Sequence, residues 1–386
     1  MDLTGLGGVP PPPLAEASID DLAKLVAEHA LGRDMLSGYV ETYRGDIDRY
    51  EIVAVEKSFA LRVRNPESER ASSYFDQAGV VDLVVRDRAD GRVLVMDHKT
   101  AAPSSIPDLV SMLRFDPQAS LYCAAWGEIS GSQPDGFCLN VMAKRPAPKP
   151  PRLIKPKKKA DACPCGIGEP HTLSRDKSQA TTGDLYREAI RVHGLVEADY
   201  SELLAVFDAA PPVRYVRESV TRTPEQLRAW QAELYETSRE IRTGRIYRNP
   251  RVSECPRCPF LALCTMDTPE ARTLYRVAET PHEEIDGDEA MPLAHHDVIS
   301  QSRLRSWYQC RQREAYTYRE LLRPVVQSRA LAFGSGIHLA LAEWYRSAGK
   351  TPILDVWESW YSDEYLRLTG DTAPAESDAP EESLPF

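Results

Sequence analysis

Residues 79–100, GVVDLVVRDRADGRVLVMDHKT, decide the reading of this chain. Two apolar, β-branched runs flank Asp90-Gly91, a dipeptide that favours a tight hairpin turn. With those two residues as the turn, Asp82 stands opposite Lys99, and Asp97, two positions away, points to the same face. Val81, Leu83 and Val85 then line one face, while Val80, Val84, Val93 and Val95 share the other with the charges. Both faces look buried, so such charges are costly unless they bind something. A divalent cation held by Asp82 and Asp97, with the His98 backbone carbonyl as a further oxygen ligand, offsets that cost. Lys99 would then orient and help deprotonate a water whose pKa the cation lowers, beside a phosphate the cation neutralises. A structural Asp–Lys ion pair at a sheet end is the plain alternative, and D-x-K alone does not separate the two.

Around this hairpin the pattern is helix (Ile19 to about Tyr43), strand (Tyr50–Val63), the hairpin strands (Gly79–Arg86 and Arg92–Thr100), helix (Gln118–Trp126) and strand (Gly136–Ala143). That order predicts an α/β fold, a central mixed sheet flanked by helices. Helical patterns resume over Thr182–Phe207, Thr223–Thr243, Ser302 to about Leu322 and Gly334–Ala348. The chain thus divides into a Gly/Pro-rich start (1–18), a core (19–143), a basic Pro-rich linker (144–181) and a helical region (182–274). An acidic linker (275–297), with a fresh start near Met291, then leads to a last helical segment (298–367) and an acidic tail (368–386) expected to be disordered.

Of 386 residues, 47 are Lys or Arg and 58 Asp or Glu, a formal net charge of −11. No apolar run reaches the ~18 residues of a membrane span. The N-terminus, MDLTGLGGVPPPP, lacks the basic and apolar regions of a secretory signal. Eight cysteines are too sparse for a disulfide scaffold, and their clustering points to metal or iron–sulfur ligation in a reducing, cytoplasmic compartment.

GVVDLVV, the fifteen-position step from Asp82 to Asp97-His98-Lys99, and Gln118-x-x-x-Tyr122 together resemble the PD-(D/E)xK nuclease superfamily. Within it they are most similar to the RecB-like branch, which includes the CRISPR adaptation nucleases and phage exonucleases. The resemblance implies a restriction-endonuclease-like core and a metal-dependent DNA nuclease using Mg²⁺ or Mn²⁺. Gln118 and Tyr122 would contact DNA or organise the site from one helix face. The branch also has a metal-binding histidine on a helix, and Gly334-Ser-Gly-Ile-His338-Leu-Ala-Leu-Ala-Glu343 fits its pattern. The implied metal set is therefore His338, Asp82, Asp97 and the His98 carbonyl. A satisfied core histidine is the plainer reading of His338 by itself. Glu56, on the first strand, could stand near the site, although Glu is also common on a half-exposed strand.

Cys255, Cys258 and Cys264 in CPRCPFLALC give a metal-ligand spacing that needs a fourth partner, and Cys310 in SRLRSWYQCRQREAYTY supplies one. In iron–sulfur members of the branch, one cysteine near the start and three near the end hold a [4Fe–4S] cluster; zinc is the competing occupant. Here the segment resembling the family's opening follows the three-cysteine knuckle, so the chain looks circularly permuted. One closed domain is expected, with a second unfinished copy or pairing with another chain as alternatives. Cys163-Pro-Cys165 with His171 is a weaker second knuckle, more readily a loop insertion, and Cys123 and Cys138 read as buried hydrophobes.

Lys144, Arg145, Lys149, Arg152, Lys155, Lys157, Lys158 and Lys159 follow the fourth strand and could hold a phosphate backbone. Arg303 and Arg311, among Trp307, Tyr308, Tyr316 and Tyr318, form a second basic group suited to single-stranded bases. A solvated linker and a surface helix are the alternatives. The expected activity is an exonuclease on single strands or duplex ends, with a recombination or helicase protein as partner. A DNA-binding module with little cleavage and a zinc-stabilised interaction protein are the competing classes.

Overall fold

The computed structural model describes residues 19–156, 170–209, 211–266, 268–282, 297–326 and 328–365. Lys157, Lys158, Lys159, Cys163, Cys165, Met291, the N-terminal segment and the acidic tail lie outside the described residues.

The sheet follows from the expected strands and two that the sequence did not announce. Strands β1 (Tyr50–Arg64), β2 (Ala71–Asp87) and β3 (Val93–Ala101) form an antiparallel meander. Strand β4 (Gly136–Ala143) joins parallel to β3, and β5 (Tyr215–Val220) closes that side antiparallel to β4. A short strand β6 (Asp297–Ile299) pairs parallel with the start of β2 at Phe75–Gln77. The order is β1-β2-β3-β4-β5, with β6 beside β2.

The hairpin register differs from the expected one. Leu83 faces Met96 and Arg86 faces Val93, so Asp82 lies at the level of Asp97 rather than Lys99. The turn is longer than two residues: Asp87 and Arg92 close it, and Gly91 takes φ +76, a conformation that favours glycine. A shift of this size moves each residue by two positions against its partner, so both acids and the lysine keep a common face. The alternation does break at Val81, which packs with Val84 and Val95 instead of Leu83 and Val85. This break adjoins Glu56 of β1, itself at φ +48.

Helices cover both faces. Helix α1 (Ile19–Tyr43) lies on one face with the C-terminal helices. There Met35, Leu36 and Tyr39 pack with Leu83, Met96, Ile337, Leu341 and Trp357. On the other face lies α2 (Pro117–Ser130), opened by Asp116, whose carboxylate accepts the Gln118 N–H at 2.8 Å, and by Pro117 in the first turn. The expected 182–207 helix is two, α3 (Gly183–Val192) and α4 (Ser201–Ala209), parted near Gly194 at φ +59. Helix α5 (Pro224–Thr243) begins with a Thr223–Gln226 capping box and packs Leu227, Trp230 and Leu234 on α2's face of the sheet.

The last segment closes onto this same core. Ile299, Leu304 and Trp307 join the α5 cluster, with Leu304 and Trp307 on α6 (Gln301–Gln309). The expected continuous helix to Leu322 is broken at Cys310, which is extended at φ −163, ψ 117. Helix α7 (Arg329–Arg346), capped by Ser328, starts earlier than Gly334 and carries His338 across the other face. Helix α8 (Ile353–Trp360) packs against it. Among the described residues, no helix is long and apolar enough to cross a membrane.

Candidate metal centre

Strands β2 and β3 part just beyond the Leu83–Met96 pair, and the acidic site fills the fork. Asp82 Oδ2 accepts the His98 backbone N–H at 2.8 Å, a side chain standing where a ladder bond would be. The same oxygen lies 3.4 Å from His338 Nδ1, brought in by α7. Glu56, Asp82 and His338 each offer a ligand atom, and these atoms all lie within 4.8 Å of one another. Two hard carboxylates with one borderline imidazole form a set open to Mn²⁺, with Mg²⁺ drawing mainly on the oxygens. Glu56 is pushed up to about 8 by burial and by the charge of Asp82.

Asp97 stands apart from that trio. It is 1% exposed, and burial, reinforced by Asp82, holds its carboxyl well above the usual range although Lys99 pulls it down. Its Oδ1 accepts from Lys99 Nζ and from Gln118 Nε2, each at 2.9 Å. Its Oδ2 is buried and lies 2.8 Å from the same ammonium, yet receives no aligned hydrogen bond. That lone pair is one a cation could use. Gln118 Nε2 also donates to the Tyr122 hydroxyl at 2.9 Å, so the four-residue spacing links Tyr122 to the acid through Gln118. Burial lowers Lys99, but Asp97 and Asp82 outweigh it and the net direction is up. An ammonium held in that state stabilises negative charge and is a poor proton acceptor at neutral pH.

His98 turns its ring away from the acids into a buried polar network. Burial lowers it to about 3, so the ring is neutral, and Asn140 Nδ2 donates to its Nδ1 at 2.9 Å. The same amide donates to Tyr39, whose hydroxyl meets that of Tyr345 at 2.8 Å. Arg217 spans both tyrosines and pairs with Asp46 at 2.6 Å. None of these partners was legible in the sequence as a site residue, because Arg217 lies on an unread strand and Asp46 opens an unread four-residue helix.

Of the two basic groups, the first lies partly near the centre. Lys144 follows β4, sits 5.0 Å over the Phe333 ring and reaches Ala330 O of α7 at 3.4 Å. The run is less free than a linker. Leu153-Ile154 pairs with Thr172-Leu173, Lys149 N–H donates to Ala180, and Arg152 pairs with Asp176. Arg303 corrects the expectation of a DNA contact. It is 2% exposed, bound by Glu314 at 2.9 Å and Asp297 at 2.6 Å, and ties α6 to β6. Arg311 stacks 4.4 Å over Trp307 and 5.0 Å over Tyr247 and reaches Glu240 at 3.3 Å.

The four cysteines of the expected cluster lie in one neighbourhood: Cys258 feels Cys310 and Cys255, and Cys264 feels Cys258, Cys310 and Cys255. Burial raises the Cys258 and Cys264 thiols. Among the described residues, no three of these sulfurs lie within 4.8 Å of one another. His171, without its two cysteines in view, meets His193 at 2.9 Å. Cys123 and Cys138 are buried in the core, as expected.

A family model described as the PD-(D/E)XK nuclease superfamily matches residues 13–265, about two thirds of the chain. The chain therefore belongs to the PD-(D/E)XK nuclease superfamily, whose members are generally metal-dependent nucleases using Mg²⁺ or Mn²⁺. The matched span contains Glu56, Asp82, Asp97, Lys99, Gln118, Tyr122 and the three-cysteine knuckle, and stops short of Cys310 and His338. A search of curated proteins finds no match.

Proposed function

We propose that this chain is a metal-dependent deoxyribonuclease of the RecB-like type, an exonuclease on single strands or DNA ends. One observation carries the reading: Glu56 and Asp82 of one hairpin and His338 from far along the chain meet beside Lys99, Asp97 and Gln118. Glu56, Asp82 and His338 would hold Mg²⁺ or Mn²⁺, with Asp97 and the His98 carbonyl on its flank. When bound, the cation supplies an activated water and charge neutralisation at the scissile phosphate. Lys99 stabilises charge on that phosphate, Gln118 fixes the Asp97 carboxylate, and Tyr122 holds Gln118.

The proposal includes a [4Fe–4S] cluster on Cys255, Cys258, Cys264 and Cys310 as a structural staple. The cysteine spacing and the resemblance to iron–sulfur members of the branch support the cluster over zinc. The proposal also takes the segment from β6 to α7 as the family's opening part, permuted to follow the knuckle.

A nuclease assay on labelled single-stranded and blunt duplex DNA tests the catalytic reading. Cleavage is expected with Mn²⁺ or Mg²⁺, none with a chelator, and a loss of about 10³-fold or more in Asp97→Ala and Lys99→Ala at unchanged circular dichroism. Tight DNA binding without cleavage would instead assign a binding module on this fold.

A further inference from the structure

We propose that the β1–β2 hairpin tip and α5 form a second nucleic-acid site, a phosphate-binding groove for single-stranded DNA remote from the metal centre; it rests on the nuclease reading. A groove of about 290 Å³ lies between residues 65–75 and α5, lined by Arg70, Arg239 and Arg242 with Ser68, Ser73 and Tyr74, and no acidic residue lines it. The groove is built rather than accidental. Asn65 Nδ2 donates to the Tyr235 hydroxyl at 3.0 Å, and the Arg242 guanidinium sits 3.2 Å over the Tyr74 ring. Both contacts fix the hairpin tip against the helix. The Arg70 side chain reaches into solvent, and Arg239 meets only the exposed Glu236 of its own helix, a pair water screens well.

Three guanidiniums with serine hydroxyls and a 48%-exposed tyrosine match a nucleic-acid backbone and one stacked base. In a chain of net charge −11, so local a cationic groove selects a polyanion. From Tyr74 to Asp82 the chain runs along β2 for ~26 Å at ~3.3 Å per residue. A stacked strand rising ~3.4 Å per nucleotide covers that in about eight nucleotides. A stacked strand gripped here would therefore reach the metal centre in about eight nucleotides, and an extended one in fewer.

Fluorescence anisotropy with 5′-labelled oligodeoxythymidylates of about 4 and about 20 nucleotides, at several salt concentrations with Ca²⁺ in place of Mg²⁺, tests this. Arg70→Glu is expected to weaken binding of the long strand about tenfold and to lower the salt slope by about one to two, leaving binding and Mn²⁺-dependent cleavage of the short one unchanged. Ser73→Glu, on the exposed strand, should act in the same direction. Wild-type protein that binds and cleaves the long strand, with both variants matching it, would overturn the groove and leave the nuclease reading standing. Wild-type protein that binds neither strand would overturn both.

Discussion

Glu56 shares the pH dependence of the centre with Asp97, whose carboxyl burial also raises. The Glu56 carboxyl titrates at about 8 in the fold against 4.5 as its ordinary value, because burial and the neighbouring Asp82 charge disfavour ionisation. A cation must displace that proton, so metal affinity should rise with pH to about 8 and level off above it. Between the two values the unfolded chain loses a proton that the metal-free fold keeps. Metal-free stability should therefore fall as pH rises through that window. Isothermal titration with Mn²⁺ and thermal melts in chelator, across the window, check both slopes. Glu56→Gln should bind Mn²⁺ more weakly and flatten both. Glu56 was visible in the sequence only as a strand residue near the acids. Its role depends on a positive φ and a three-way approach that spacing does not encode.

At the scale of elements, the histidine reaches the acids because α7 rides close on its neighbours. Gly336 faces Trp360 of α8 so closely that an added Cβ would overlap the indole. Gly336→Ala should cost about 1–3 kcal/mol through overpacking and separate α7 from α8. Chemical denaturation measures the loss, and weaker Mn²⁺ binding should accompany it as His338 shifts. Much of the element order was legible. Helix α1, strands β1 and β4 and helix α5 fall within a residue or so of their expected limits, since their apolar spacing and caps are local signals. The hairpin register was not, because Gly91 closes a longer turn than Asp90-Gly91 suggests. Strand β6 is three residues long, and its pairing depends on β2 rather than on its own composition. Acids, lysine, glutamine and tyrosine were found because they share the expected faces. The buried chain from His98 to Asp46 was missed because its members lie on six different segments.

At the scale of the molecule, the chain's late segments complete a core begun by its early ones. Trp307 packs with Trp230, and Trp357 with Met35 and Tyr39. Cys310 meets the knuckle at the break after α6, next to a small core of Phe260, Leu263, Tyr316 and Leu322. If an iron–sulfur cluster staples this corner, anaerobically purified protein should absorb near ~400 nm, as clusters on thiolates do. Cys310→Ala should remove that band, the bound iron and several degrees of Tm. Stoichiometric zinc with no such band would assign the four thiolates to zinc instead.

The central claim is that an imidazole from α7 and acids from β1 and β2 share one cation. The most direct measurement is an anomalous difference map from crystals soaked in Mn²⁺. The account predicts one strong peak at ~2.1–2.3 Å from Glu56, Asp82 and His338. A peak that touches the acids while the His338 ring remains out of bonding reach, or none at this fork, would contradict it.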